Sequence, residues 1–278
     1  MMKNFIRIAK KILPRPLKEK IVHLLDLFVY HVLPPKTIVL IMCGMRSGST
    51  LLKALLAEAE DVSHLPEVNY KKYSSNTYSF YRQAYFLSKK RIIVLKYPVM
   101  SIKPLSPTSD RIKIIVLARD VYDVVMSLVK MYQDRKLKEQ EGKREWVEYW
   151  CDTYEGIMNS AATIHQNICF ARYEDLLRNP KDVTKKLFAF IDSEKKEGVD
   201  SYKKPEDFEW EWGTDDGGER IKKLRVLHNE NKTDQKRDLE LQNIIEGSAR
   251  VGHLRNKLGY TNGVKGDDNE FAKRFIES

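Results

Sequence analysis

Cysteine is scarce in this chain and long apolar runs are missing, and each absence closes off a class of protein. Cys43, Cys151 and Cys169 form an odd set without CxxC spacing, so neither a disulfide framework nor a zinc site is indicated and a reducing compartment fits. The longest apolar stretch near the start, Ile21–Leu33, runs 13 residues and is broken by His23, Asp26 and His31. A membrane-spanning helix needs about 20 apolar residues, so none is expected. No cleavable signal and no internal repeat is visible, and a cytoplasmic protein is the expectation.

Positive charge, by contrast, is in excess. The 278 residues carry 49 Lys or Arg against 39 Asp or Glu, a net charge of +10, with 42% hydrophobic residues. That hydrophobic content supports one globular domain with appendages. The charge favours an anionic partner without choosing among nucleic acid, an acidic membrane surface and a phosphorylated small molecule. Seven of the basic residues fall in the first 20 positions, between apolar Phe5, Ile6, Ile8, Ile12, Leu13 and Leu17. Residues 1–36 therefore read as a basic amphipathic leader, set off by Pro14, Pro16, Pro34 and Pro35. Peripheral membrane association through residues 1–33 is one reading; a helix packed on the domain with a solvated basic face is the other.

Four short runs rich in β-branched residues predict buried parallel strands at Thr37–Cys43, Arg91–Lys96, Ile112–Ala118 and Asn167–Arg172. Helical patterns alternate with them at Thr50–Glu60, Val121–Lys138, Arg144–His165 and Asp182–Ile191. The predicted fold class is α/β: three layers around a mostly parallel central sheet, in a single domain over residues 37–260. Ligands gather at the carboxyl ends of the strands in such sheets. The charged, aromatic stretch 192–237 reads as a long functional loop or lid with some helix, Asp238–Leu258 as one final helix, and residues 261–278 as a loose tail.

The stretch "CGMRSGSTLL" joins the first strand to its helix. Backbone N–H groups of such a loop, with the positive end of the helix dipole, suit a phosphate or sulfate. A Walker loop needs lysine directly after its second glycine, but Gly48 is followed by Ser49 and Thr50, and the cation, Arg46, stands two residues earlier. An ordinary turn capped by Ser47 or Ser49 would show the same residue types. A second polar site follows the third strand in "VLARDVYDVVMSLV", where Arg119 and Ser127 can take another phosphate. A structural ion pair of Arg119 with Asp120 or Asp123 is the competing reading.

Together these segments resemble the sulfotransferases that use 3′-phosphoadenosine 5′-phosphosulfate (PAPS). "GMRSGSTLL" looks like the R-S-G-[ST]-T variety of their phosphosulfate loop, closer to tyrosylprotein, glycan-type and bacterial members than to small cytosolic phenol-type members. Arg119 and Ser127 match the arginine and serine that grip the 3′-phosphate, "ARYEDLLRNP" is similar to the recurrent YEDL segment, and "LRNKLGY" to a leucine-glycine-tyrosine ending. The resemblance spans residues 37–260 and implies a P-loop-like site. In it Arg46, Ser47, Gly48, Ser49 and Thr50 would hold the 5′-phosphosulfate, Arg119 and Ser127 the 3′-phosphate, and Tyr173 the adenosine. No arginine-lysine-glycine signature marks the C-terminal loop that contacts PAPS; Arg220, Arg225 and His228 are the candidates there.

The resemblance also implies sulfuryl transfer to a hydroxyl acceptor without a metal. In tyrosylprotein and glycan-type relatives a glutamate at about the position of Glu67 is the base, while small cytosolic members use a later histidine. Glu67 is the expected base and His64 its rival. Lys96, in "VLKYP", resembles an active-site lysine, although strand-end lysines are often merely solvated. The segment "YKKYSSNTYSFYRQAY" (residues 70–85) is expected to line the acceptor site. A P-loop kinase, or a basic protein binding nucleic acid or membrane, are the alternatives, with no nucleic acid partner expected from the first reading.

Overall fold

The computed structural model describes residues 14–66, 76–98, 109–134, 142–161, 167–206, 221–227 and 238–260. Its centre is a parallel sheet of β1 (Thr37–Cys43), β2 (Ile92–Pro98), β3 (Ile112–Ala118) and β4 (Ile168–Arg172). The strands lie in the order β2-β1-β3-β4. Ile38 pairs with Ile93 on one side and Ile112 on the other, and Ile114 with Ile168. The chain leaves β1 first toward β2 and later toward β3, so the β1/β3 boundary is the switch point at which α/β sheets open a crevice.

Strand side chains alternate between two cores because the β period is two. Ile38, Leu40 and Met42 face the larger core, and Val39, Ile41 and Cys43 the smaller one. The larger core is closed by α3 (Thr77–Tyr85), α4 (Val121–Asp134), α5 (Lys143–Ala161), α8 (Leu239–Glu246) and α9 (Ala249–Lys257). The smaller is closed by α2 (Ser49–Leu56), α6 (Tyr173–Arg178) and α7 (Pro180–Phe190). The predicted three-layer α/β arrangement is therefore present.

Part of the leader, α1 (Arg15–His31), packs on the domain. Val29 enters the larger core, and buried Asp26 is paired with Arg82 and accepts a hydrogen bond from Ser79, both on α3. Residues 1–13 and the tail, 261–278, lie outside the described residues.

The structure refines four expectations. The final helix is two: α8 ends at Gly247, and Ser248 starts α9 by accepting a bond from the Val251 N–H. Ser, Asp and Asn compete for backbone donors and so favour caps over helix interiors. The short α6 was not foreseen, because Tyr173–Arg178 carries too few turns to show a period. In the predicted lid, Tyr202 and Val226 are buried in the smaller core, so that part is anchored to the domain; residues 207–220 and 228–237 lie outside the described residues. Nor do Tyr81 and Tyr85 of α3 stand open to an acceptor, both being buried; residues 70–75 of that expected lining lie outside the described residues. The Tyr81 hydroxyl accepts from the Lys36 N–H at 2.9 Å, and that of Tyr85 donates to the Pro34 carbonyl at 3.0 Å, which ties both rings to the entrance of β1.

That end of the sheet is held by Asp61, which follows α2. Its carboxylate accepts from Ser193 Oγ at 2.7 Å, from the Glu194 N–H at 3.0 Å and from Arg91 at 2.5 Å. Burial would raise its pKa, but the three bonds outweigh burial and hold it below the ordinary carboxylate value. A lowered pKa means stability that is present above the unfolded value, near 4, and is lost as pH falls through the folded one. Asp61→Ala is expected to cost about 2–3 kcal/mol at neutral pH, with the gap to wild type narrowing as pH falls below the unfolded carboxylate value, as measured by denaturant unfolding across pH.

Candidate active site

The loop after β1 is built from backbone shapes that only some residues tolerate. Arg46 sits at φ 63° and Gly48 at φ 87°, both in the left-handed region, and Gly48 directly precedes α2 as its N-cap. A Cβ on Gly48 would come within 2.2 Å of the Tyr173 ring, so glycine is required twice, for its backbone and for the ring against it. Strain of this kind is usually kept where function needs it.

Side chains from three other elements converge on this loop. Arg46 Nε donates to Ser127 Oγ on α4 at 2.9 Å. Arg119, just past β3, donates from Nη1 to the Arg46 carbonyl at 2.7 Å and lays its guanidinium 4.6 Å from the centre of the Tyr173 ring. Lys96, buried at the end of β2, donates from Nζ to Thr50 Oγ1 at 3.2 Å. Every predicted cofactor-binding residue, Arg46, Ser47, Gly48, Ser49, Thr50, Arg119, Ser127 and Tyr173, thus belongs to one cluster or to the loop that forms it. The two anion sites read separately in the sequence are joined, because the Arg46 side chain reaches Ser127. The ion pair of Arg119 with Asp120 is not formed; Asp120 faces Arg255 at 3.1 Å.

Sequence reasoning missed α5 as the support of this cluster. The Tyr149 hydroxyl accepts from the Met45 N–H at 2.8 Å, and Trp150 Nε1 donates to the Arg119 carbonyl at 2.9 Å. The Tyr154 hydroxyl donates to the Leu117 carbonyl at 3.1 Å and accepts from the Arg119 N–H at 3.3 Å. Its single proton is then committed, so Ser47 Oγ, 3.1 Å away, is the donor in their contact. Burial pushes the Tyr154 phenol far above its ordinary value and keeps it neutral. The available signal was three hydroxyl- or N–H-bearing aromatics within six positions of an otherwise ordinary amphipathic helix.

Two distant motifs meet behind Arg119. Glu174 of the YEDL segment accepts from the Asp120 N–H at 3.0 Å and from the Tyr260 hydroxyl at 2.8 Å. Burial raises the pKa of Glu174, and these bonds only partly offset it. Arg172 binds Asp175 at 2.6 Å and also donates to the Gly259 carbonyl, which docks the C-terminal segment against β4.

On the far side of Lys96, Val62 forms a parallel bridge with Ile92, and the Val94 N–H donates to Ser63 Oγ at 3.1 Å. This segment advances beside β2 toward the loop end and leads to Glu67, which lies outside the described residues. His64 is half-buried, with its pKa pushed down to about 4 by burial first and then by Lys53. Arg225 forms an antiparallel bridge with Ser201. Neighbouring Tyr202 has its hydroxyl pushed up to about 12 by burial and, secondarily, by Tyr173. Arg220 and His228 lie outside the described residues.

A strained loop with two arginines at the switch point of a parallel sheet defines an α/β protein with a candidate anion site there. The sulfotransferase domain model matches residues 36–209, more than half of the chain, and the chain belongs to that family. It is a sulfotransferase enzyme. No curated protein matches the sequence. Among solved structures, the sulfotransferase domain from the curacin biosynthetic pathway superposes with a TM-score of 0.51 at 17% identity, over 82% of this chain and 99% of that one. This likeness is one of fold. The sulfotransferase from Alicyclobacillus acidocaldarius gives 0.49 at 12% identity, over 82% and 97%. Retinol dehydratase in complex with androsterone and the inactive cofactor PAP gives 0.42 at 15%, over 92% and 84%.

Gly48→Ala is expected to lower stability by roughly 2 kcal/mol or more, from left-handed strain plus the clash with Tyr173. Adding Tyr173→Ala should recover the steric part alone, so a double-mutant cycle by thermal unfolding should show clear positive coupling.

Proposed function

We propose that the sulfuryl donor is PAPS, that the acceptor is a hydroxyl group on a glycan, lipid-linked or other molecule, and that Glu67 is the general base. The observation that carries this reading is the convergence of Arg46, Ser127, Arg119 and Tyr173 on one loop. Two guanidiniums, a hydroxyl and an aromatic face fit a nucleotide with phosphates at both ends. When bound, PAPS supplies an activated sulfuryl group whose leaving group is a phosphate.

The chain's own residues divide the work. Arg119 and Ser127 hold the 3′-phosphate, and Tyr173, already stacked on Arg119, offers its ring to the adenosine. Ser47, Gly48, Ser49 and Thr50 aim backbone N–H groups and hydroxyls at the 5′ end, with the α2 dipole behind them. Arg46 and Lys96 offset the negative charge that builds on the leaving phosphate as its bond to sulfur breaks. Glu67 takes the acceptor's proton as the acceptor oxygen bonds to sulfur. The placement of Val62 and Ser63 beside β2, a few residues before Glu67, supports this choice. So does His64, which at about 4 is a weaker base than an ordinary histidine.

Without magnesium, 3′-phosphoadenosine 5′-phosphate at a hundredfold excess over its Kd is expected to stabilise the protein by about 2.7 kcal/mol, read as a rise in Tm. Arg119→Ala should weaken that ligand by about 10- to 100-fold and leave adenosine 5′-phosphate unchanged. No shift at saturation would refute the donor, and equal losses for both nucleotides would refute the 3′-phosphate role.

Glu67→Gln is expected to keep the nucleotide-induced shift but to slow turnover by about 100-fold or more. Measured on an acceptor found by screening pools with labelled PAPS, near-normal turnover would remove Glu67 from the chemistry.

A further inference from the structure

The helix α1 buries Val29 in the domain and still keeps large apolar side chains on its outer side. The side facing the domain carries Asp26, 2% exposed and ion-paired with Arg82 of α3. The opposite side carries Leu17, Leu24 and Phe28, which are 45%, 65% and 48% exposed, continued by Val32 at 64% just past the helix end. Spacings of seven, four and four residues put these side chains on one stripe of a helix with 3.6 residues per turn. They are four of the eight large apolar side chains that stand exposed among the described residues. A contiguous apolar face of this kind marks a surface that is covered in use.

Charge indicates what covers it. Arg15 and Lys20 are exposed and Lys18 half-buried at the start of the helix, and the first 20 residues hold seven basic side chains against the single acidic Glu19. An apolar stripe beside a dense basic cluster matches the layered chemistry of an anionic bilayer, with acyl chains below charged headgroups. A second copy of the chain would instead bring its own basic cluster against this one. No helix among the described residues is long and apolar enough to cross a membrane, so the contact is a surface one. We propose that α1 is a docking face for anionic lipid surfaces, with Leu24 and Phe28 inserted and Lys18 and Lys20 at the headgroups.

The position of α1 is compatible with catalysis on such a surface. Its last turn is fixed at the entrance of β3, where the Tyr30 hydroxyl meets Ser109 Oγ at 2.7 Å and Arg111 donates to the Tyr30 carbonyl. The candidate anion site is at the other, carboxyl end of the strands, so docking does not cover it. This inference stands apart from the choice of donor and acceptor.

Flotation of the full-length protein tests it, with vesicles of phosphatidylcholine alone and with about one-third phosphatidylserine. Binding is expected to the anionic vesicles only, to weaken with salt, and to fall about tenfold or more in the Leu24→Ser/Phe28→Ser double variant. Both positions are exposed, so the variant's melting temperature should match wild type; Lys18→Glu/Lys20→Glu, at one half-buried and one exposed position, should lose binding as well. Undiminished binding by either double variant, or equal binding to neutral vesicles, overturns the proposal. So does an absence of vesicle binding, whether the protein is then a monomer or a dimer that Leu24→Ser/Phe28→Ser separates.

Discussion

The hydroxyl of Tyr154 is the point on which the site depends. It stands in the core with no access to water, and its one proton and its lone pairs are all directed at backbone or loop: the Leu117 carbonyl, the Arg119 N–H and Ser47. Each such bond contributes only about 1 kcal/mol net, but leaving any partner buried and unsatisfied costs more. The cost of misplacement, more than the gain from pairing, therefore fixes the end of β3 against the loop after β1. Arg119 and Arg46 acquire their relation from that contact. Tyr149 and Trp150 extend it on the same helix, so α5 is a rigid back wall for groups carried by two different strands.

Around this wall, burial arranges charge. Asp120 and Glu174, both raised in pKa mainly by burial, lie behind Arg119 rather than in front of it. They hold the turn through backbone N–H groups, Arg255 and the Tyr260 hydroxyl. Carboxylates spent on structure in this way do not repel an incoming polyanion. What faces the loop is Arg46, Lys96, Ser127 and Arg119, in keeping with a chain of net charge +10. The resemblance motifs acquire a physical meaning here: YEDL gives a ring to Arg119 and a carboxylate to Asp120, and LGY gives the hydroxyl that satisfies that carboxylate.

Much of the sheet was legible in the sequence because completely buried strands leave a simple trace. Thr37–Cys43 and Ile112–Ala118 begin and end as the apolar runs do, since both faces of a central parallel strand are covered. The Arg91–Lys96 and Asn167–Arg172 runs are displaced by a residue or two at their ends, where pairing rather than polarity sets the boundary. Helix α3 is harder to read for a different reason. Its tyrosines look like a binding surface when read along the chain, but Tyr81 and Tyr85 are core residues whose polar tips find backbone partners near Lys36. An aromatic with a hydroxyl is compatible with core and with site alike, and only the partner of the hydroxyl tells them apart.

The sequence alone determined the strand–loop–helix unit around Gly48, the presence of basic groups at two strand ends and the alternation that makes the fold α/β. These are local matters of chain period, glycine conformation and residue type within one or two elements. Tertiary structure decided that Arg46 reaches Ser127, that Tyr173 closes on Gly48, that Glu174 and Tyr260 join across 86 positions, and that α1 turns Asp26 inward and Leu17, Leu24 and Phe28 out. Those facts depend on which elements share a crevice, and a period read along one chain cannot say which side of a helix its neighbours will occupy.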